Sequence, residues 1–199
     1  MAGRKKKAKP TTKKRKEKKS ALLSLKQNIQ KRLPVVKFLV AFLISILAFY
    51  WLYNSAFFAE EISKPLTKFQ AELSSHILNF FGQNTWVEKS ILHGQNSALD
   101  IKKGCDGIEP TALFIIGVLI VPLSWKTKLP GLLMGLIALL LINLLRITGL
   151  YFANVYWPEA FEFLHLHGGF ALFFVVAIIV WMVWASWAIQ YTKVKKAAS

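Results

Sequence analysis

The amino-acid sequence predicts an all-α, multi-pass membrane protein with about four transmembrane helices, an interfacial amphipathic helix and a short outer hairpin. Hydrophobic residues make up 54% of the 199 residues, and the mean hydropathy is +0.41, whereas soluble domains are usually about 45–50% apolar. Long uncharged segments recur along the chain, and clusters of basic residues separate them. The 7 Trp and 15 Phe residues also favour a membrane protein, because aromatic side chains gather at the headgroup level.

The net charge of +16 comes mostly from the N-terminal segment. Residues 1–32 contain 14 of the 26 Lys and Arg residues and a single acidic residue, Glu17. Like charges and few apolar groups predict a disordered basic cytoplasmic tail over residues 1–33, in which Ala21–Leu33 is a candidate short amphipathic helix. Attraction to anionic headgroups, worth roughly 1 kcal/mol per basic residue, is favoured over nucleic-acid binding, and no cleavable signal peptide is expected.

Four apolar segments are predicted to cross the membrane within a single embedded domain over residues 34–192, followed by a cytoplasmic tail over 193–199. Three of the segments contain no charged residue, and Arg146 is the only charge in the other one. A helix needs about 20 apolar residues to cross a hydrocarbon core of ~30 Å. The predicted spans are Phe38–Ala59, Pro110–Trp125, Leu129–Trp157 and Gly168–Thr192.

The segment between the first two spans is too polar to cross the membrane. An apolar residue recurs every three or four positions there, which predicts a helix that lies on the membrane surface or packs across the other helices. This stripe consists of Ile62, Leu66, Phe69, Leu73, Ile77 and Phe80. Further along, Trp86–Leu92 and Ser97–Ile101 flank the turn-forming residues His93–Asn96, which predicts a short β-hairpin.

Basic clusters predict the orientation of these spans. The N-terminal tail, Trp125–Lys128 and Lys193–Lys196 alternate as expected for four spans with both termini in the cytoplasm. Cys105 and His165 then lie at the outer ends of the second and fourth spans. Arg146 is 17 residues along the third span from Leu129, or about 25 Å, which places it near the same outer boundary.

Arg146 is the strongest functional candidate, because a charge within an apolar span costs ~2.5–3.5 kcal/mol even on lenient insertion scales. The alternative is a structural or harmlessly exposed charge near the end of the span. Asn143 lies one turn earlier on the same helical face and is expected to orient the guanidinium. By itself, an Asn at this place is more typical of helix–helix contacts.

Cys105 is the single cysteine, so no internal disulfide forms. It is either an inert packing residue or a nucleophile. Gly104 and Gly107 flank it, and a position that opens a helix beside a cation is expected to lower the pKa of the thiol. His165 is then a candidate base. A metal site built from Cys105, His165 and His167 lacks a clear carboxylate ligand, so neither a metal nor a cofactor is expected.

Three motifs lie at the predicted outer ends of the spans: Gly104-Cys-Asp-Gly-Ile108, Asn143-Leu-Leu-Arg-Ile147 and Phe161-Glu-Phe-Leu-His165. Together they resemble the exosortase/archaeosortase family over about residues 35–190. The short chain, the Trp125–Lys128 loop and the stretch Tyr156–His165 are most similar to the exosortase H group. The resemblance implies a cysteine protease-transpeptidase of the bacterial cytoplasmic membrane, with its active site on the outer face. Its substrates are exported proteins that end in a short motif, a membrane helix and a basic cluster.

The resemblance assigns the catalytic Cys, Arg and His to Cys105, Arg146 and His165. The chain departs from the exosortase H pattern where His167 and Gly168-Gly169 replace an expected acidic residue and a Trp. His167 therefore remains an alternative or supporting base, and the chain is shorter than most exosortases, which have about eight spans. The rival hypothesis is a non-enzymatic assembly factor or transporter subunit that uses Arg146 as a structural or anion-binding charge.

Overall fold

The computed structural model describes residues 12–95, 97–165 and 169–197, which form a mostly helical protein with one small sheet. The chain divides into two compact units, residues 1–41 and 42–199. The helices are α1 (Thr12–Tyr53), α2 (Ala56–Phe58), α3 (Lys64–Phe80), α4 (Ile108–Ile120), α5 (Trp125–Tyr156), α6 (Pro158–Phe163) and α7 (Gly169–Ala197), with a π-helical turn at Ala59–Ser63. The strands are β1 (Trp86–Glu88), β2 (Ile91–His93) and β3 (Ala98–Asp100).

Within the described residues, three helical segments are long and apolar enough to cross a membrane: Arg32–Tyr53, Trp125–Tyr156 and Ala171–Lys195. The predicted second span is instead the 13-residue helix α4. At ~1.5 Å per residue, α4 is about 20 Å long, which is shorter than a ~30 Å hydrocarbon core. Pro122 explains this length, because it forces Val121 out of the helical region (φ −59°, ψ 128°).

The first apolar helix ends at Tyr53, six residues before the predicted end of the first span at Ala59. Asn54 donates a hydrogen bond from Nδ2 to the Tyr50 carbonyl oxygen at 2.9 Å. Ser55 donates to the Leu52 carbonyl oxygen at 2.6 Å and accepts from the Phe58 N–H at 3.2 Å. Two short polar side chains therefore terminate one helix and cap the next, which hydropathy alone does not reveal.

The start of α1 also differs from the sequence-based expectation. The helix begins at Thr12, inside the segment predicted to be disordered, and it contains the candidate amphipathic helix Ala21–Leu33. Lys and Ala are good helix formers, and this local propensity supports a helix despite the charge repulsion. Residues 1–11 lie outside the described part of the chain.

The buried face of helix α3 consists mostly of small and uncharged polar side chains, whereas its charged residues and much of its apolar stripe are exposed. The exposed fractions of Phe69 and Phe80 are 48% and 86%. Gln70 and Ser74 are buried on the opposite side, at 3% and 0%. In a soluble protein, an amphipathic helix would bury such an apolar stripe against the core. The exposed stripe is consistent with an apolar environment around this helix. The amide of Gln70 and the hydroxyl of Ser74 face the protein interior.

The segment after α3 forms a three-stranded antiparallel sheet in the order β1-β2-β3, rather than one hairpin. The predicted turn lies between β2 and β3, where His93 pairs with Ala98. A second turn at Lys89, in the left-handed region with φ 58°, divides the first predicted strand in two. Leu92 and Leu99 pair across the sheet and are buried, so the sheet has one apolar face.

Two buried clusters position the candidate site. The first joins α3, the sheet and α5, and it includes Cys105, Leu92, Ile147 and Tyr151. The second lies among α4, α5 and α7. There, a Cβ at Gly135 would collide with the Phe114 ring. The close approach of α4 to α5 therefore requires glycine at position 135.

Candidate active site

Cys105 lies in the loop between β3 and α4, and its side chain is only 1% exposed. Its N–H donates to the Lys102 carbonyl oxygen at 2.8 Å, which closes a tight turn. Gly104 and Gly107 have φ angles of 89° and 69°, a region that other residues rarely adopt. Helix α4 begins at Ile108, so Cys105 precedes the helix by three residues instead of opening it.

Gln70 and Asn143 hold this loop by its backbone. Gln70 Nε2 donates to the Asp106 carbonyl oxygen at 2.9 Å. Asn143 Nδ2 lies 3.3 Å from both the Cys105 carbonyl oxygen and Gln70 Oε1. A Cβ at Gly107 would lie 2.9 Å from Asn143 Cγ, so the loop packs directly against the carboxamide.

These contacts correct the role predicted for Asn143 and add Gln70 to the residues of the candidate site. Asn143 was expected to orient Arg146, but its amide binds the Cys105 loop instead. Gln70 was not identified from the sequence, because it lies on the polar side of an amphipathic helix, where solvent contact is the ordinary expectation. Lys68 and Glu72, two residues away on either side, are indeed exposed. No local pattern therefore distinguishes Gln70 from its solvated neighbours.

Arg146 reaches the same loop from α5. Its Nη2 donates to the Gly104 carbonyl oxygen at 3.0 Å. Nε and Nη1 are buried and have no hydrogen-bond partner among the described residues. A Cβ at Gly169 would lie 2.8 Å from Nε, and the guanidinium carbon lies 6.0 Å from the centre of the Phe173 ring. One side of the guanidinium is therefore anchored, while the N–H groups of Nε and Nη1 remain available for an acceptor.

His165 follows α6 and is half-buried. Its ring stacks on Phe161 with centroids 5.3 Å apart, and Phe161 packs against the cluster that contains Cys105. Burial lowers the pKa of His165, and the positive charges of Arg146 and Lys102 lower it further. Its Nδ1 is buried without a partner among the described residues. A neutral imidazole with a free nitrogen is suited to accept a proton.

The thiol of Cys105 does not have the expected low pKa. Burial raises its pKa, while Arg146 opposes this rise and Asp106 adds to it. The resting residue is therefore a thiol rather than a thiolate. A nucleophilic role then requires a base or a rearrangement that opens the loop, because the thiolate is the reactive form.

Asp106 is a second group that sequence reasoning did not select. It is 2% exposed, and its Oδ1 accepts a hydrogen bond from the Ile108 N–H at 3.1 Å, which caps the start of α4. Burial raises the pKa of Asp106 to about 6, and the Ile108 hydrogen bond and Arg146 oppose this effect. Asp106 also lines a mostly apolar cavity of about 360 Å³.

The structure thus brings three helices and one loop together around the predicted residues. Arg146 contacts the Cys105 loop directly, and the pKa values of both Cys105 and His165 respond to its charge. His167 lies outside the described residues. His76 is exposed on α3, and His93 stacks on Trp86 in the sheet, so neither is part of this group.

Comparison with known families gives one match. The sequence profile described as transmembrane exosortase matches residues 34–182, about three quarters of the chain. The matched range contains Cys105, Arg146 and His165. No curated protein and no solved structure matches the chain.

Proposed function

The chain belongs to the transmembrane exosortase family, and from this premise we propose that it is a membrane cysteine protease-transpeptidase. It cleaves the C-terminal sorting signal of exported proteins, at the outer face of the bacterial cytoplasmic membrane. One observation carries the proposal. Arg146 is anchored beside the Cys105 loop, and its buried Nε and Nη1 have no hydrogen-bond partner among the described residues, which suits them to donate to an oxyanion.

The reaction begins with proton transfer. His165 takes the proton from the Cys105 thiol, and the resulting thiolate attacks the carbonyl carbon of the scissile peptide bond. The carbonyl oxygen becomes an oxyanion, and the free N–H groups of Arg146 donate to it. The C–N bond then breaks as protonated His165 returns the proton to the leaving amine. The product is a thioester between Cys105 and the exported protein.

The second half resolves the thioester. Neutral His165 accepts a proton from water or from an acceptor amine as its oxygen or nitrogen attacks the thioester carbonyl. The C–S bond breaks, and the proton passes to the sulfur, which regenerates the thiol. Water yields a free carboxylate, whereas an amine yields a new amide. His167 remains an alternative base in either half.

The pKa directions define the resting state for this reaction, with Cys105 as a thiol and His165 as a neutral imidazole. A thiol with a raised pKa needs a base, and a histidine with a lowered pKa is present in the neutral form that accepts a proton. The positive charge of Arg146 lowers the pKa of both groups. It favours the thiolate over the thiol and the neutral imidazole over the imidazolium.

The test is processing by Cys105→Ala in cells. The reporter is an exported protein of the same genome that ends in a transmembrane helix and a basic cluster, with an epitope tag before the helix. The variant should accumulate unprocessed reporter while remaining in the membrane at the wild-type level. Since Cys105 is the only cysteine, normal processing by Cys105→Ala rules out the thioester and supports a non-enzymatic role for Arg146.

A further inference from the structure

A polar cavity of about 330 Å³ lies between the α3–β1 loop, the β2–β3 turn and the last turns of α5. We call it the amide cleft. The residues that define it are Gln83, Asn84, Gln95, Ser97, Asn154 and Tyr156. No residue in the described lining is charged, so the cleft differs from the surrounding loops, which contain Lys and Glu residues.

The side chains of the cleft match the hydrogen-bonding groups of a peptide backbone. A carboxamide both donates and accepts, as a peptide bond does. This molecule already uses such a match: Asn79 Oδ1 accepts from the Thr85 N–H at 2.5 Å, and Asn79 Nδ2 donates to the Thr85 carbonyl oxygen at 2.9 Å. In the cleft, Ser97 Oγ is buried and has no partner among the described residues.

Two existing hydrogen bonds in the cleft are long enough to be exchanged for a ligand. Asn154 Nδ2 lies 3.3 Å from the Ala98 carbonyl oxygen, and Gln83 Nε2 lies 3.3 Å from Tyr156 Oη. Both distances are at the upper end of the usual range. A bound peptide would therefore replace weak internal contacts rather than strong ones.

The cleft adjoins the candidate active site through α5. Tyr151 lines the cleft and also belongs to the buried cluster that contains Cys105. Asn154 is eight residues beyond Arg146, or ~12 Å along the helix. An extended peptide covers that distance with about four residues, at ~3.3 Å per residue.

The position of the cleft indicates which part of a substrate it faces. Helix α5 has 32 residues, so it is ~48 Å long and exceeds a ~30 Å hydrocarbon core. Its apolar run begins at Leu129, and residues beyond about position 149 extend past that core. The cleft lies on this projecting part, on the side of Arg146 away from the middle of the membrane.

We propose that the amide cleft binds the recognition motif of the substrate as an extended peptide. The bound segment is the ~four residues on the N-terminal side of the scissile bond, since the membrane helix of the substrate follows on the C-terminal side. Neutral amides favour a segment with few charges and bind it mainly through its backbone. This inference rests on the proposed function and adds the place where the motif is read.

Site-specific photocrosslinking tests the inference. Benzoylphenylalanine is introduced at Gln83, which lines the cleft, or at Phe80, which is 86% exposed on the outer stripe of α3. Both variants are made in the full-length Cys105→Ala chain in membranes, with the epitope-tagged reporter described above. Irradiation should give an adduct from Gln83 alone, and mass spectrometry should map it to the residues just before the transmembrane helix of the reporter.

Several outcomes overturn the inference. Each of three results excludes the cleft as the motif site. The first is an equal adduct from Phe80, and the second is an adduct that maps to the transmembrane helix. The third is no adduct from Gln83 while Cys105→Ala blocks processing. Processing that continues in Cys105→Ala contradicts the proposed function itself, so the two failures are distinguishable.

A substitution in the cysteine-containing chain gives a second measurement. Asn154→Leu removes the hydrogen-bonding groups and keeps the number of side-chain heavy atoms. It should raise the half-saturating reporter concentration about fivefold, as expected for one lost hydrogen bond of ~1 kcal/mol, and leave the maximal rate unchanged. A lower maximal rate with unchanged saturation indicates a structural role for Asn154 and contradicts the inference.

Discussion

Arg146 donates a hydrogen bond from Nη2 to the carbonyl oxygen of Gly104, at 3.0 Å. This contact fixes a cation from a long apolar helix against the residue that precedes the only cysteine. The same guanidinium keeps Nε and Nη1 buried and unpaired among the described residues. The Cys105 loop and the guanidinium are therefore held together while part of the guanidinium stays free to bind an acceptor.

Arg146→Lys should reduce processing about 100-fold, the usual effect of removing one oxyanion donor. Lysine retains the charge but cannot donate to Gly104 and to an oxyanion in the geometry of the planar guanidinium. The measurement is the rate of reporter cleavage at matched membrane levels of the protein. Lys126→Gln, an exposed charge at the start of the same helix, is the control and should cleave normally. A wild-type rate for Arg146→Lys would show that charge alone suffices.

Gly169→Ala should lower processing about tenfold or more, which corresponds to ~1.4 kcal/mol in the barrier. A Cβ at this position lies 2.8 Å from Arg146 Nε and 2.9 Å from the Leu164 carbonyl oxygen, so the guanidinium must move. Gly149→Ala is the matched control on α5, because nothing lies within 4 Å of its Cβ. Equal processing by the two variants would contradict the tight placement of Arg146.

The pH dependence of cleavage should follow His165. Burial and two nearby cations lower its pKa, so the neutral base persists below the ordinary value of about 6.5. The cleavage rate should stay level as the pH falls through 6.5 and then decline once the lowered pKa is reached. Rates measured in proteoliposomes between about pH 5 and 8 test this. A midpoint at or above the ordinary value argues against His165 as the base.

Asp106→Asn should stabilise the protein at neutral pH but not in acid. The folded-state pKa of about 6 lies above the ordinary value of 3.8. A raised pKa means that the folded state binds the proton more tightly than the unfolded state does. The contribution of Asp106 to the free energy of unfolding is therefore fully present below pH ~4 and is lost as the pH rises through about 6. The penalty at pH 7 is on the order of 2 to 3 kcal/mol. Asparagine retains the oxygen that accepts from Ile108 and removes the charge.

Thermal unfolding of both proteins in detergent provides the measurement. The Tm difference between Asp106→Asn and wild type should be positive at pH 7 and should disappear near pH 4. An equal difference at the two pH values would mean that the carboxylate is not the source of the penalty.

Several features of the fold were predictable because they depend on local composition. The apolar runs of α5 and α7 predicted two membrane helices, and both appear with ends within a few residues of the prediction. The turn before Ala98 was predictable from Gly and polar residues. Pro122 ends helix α4, but it lies within an uncharged run that hydropathy alone extends to Trp125. The second span was therefore predicted too long.

The sequence by itself determined the membrane class of the protein and the choice of Cys105, Arg146 and His165 as candidates. Charge, hydropathy and motif order are properties of the chain, so no contact is needed to recognise them. The tertiary structure alone decided that Gln70 and Asn143 hold the cysteine loop, that α3 buries uncharged polar side chains, and that burial raises the pKa of the thiol. Hydrogen-bond partners and burial depend on residues far apart in sequence, and periodicity within one helix does not specify them.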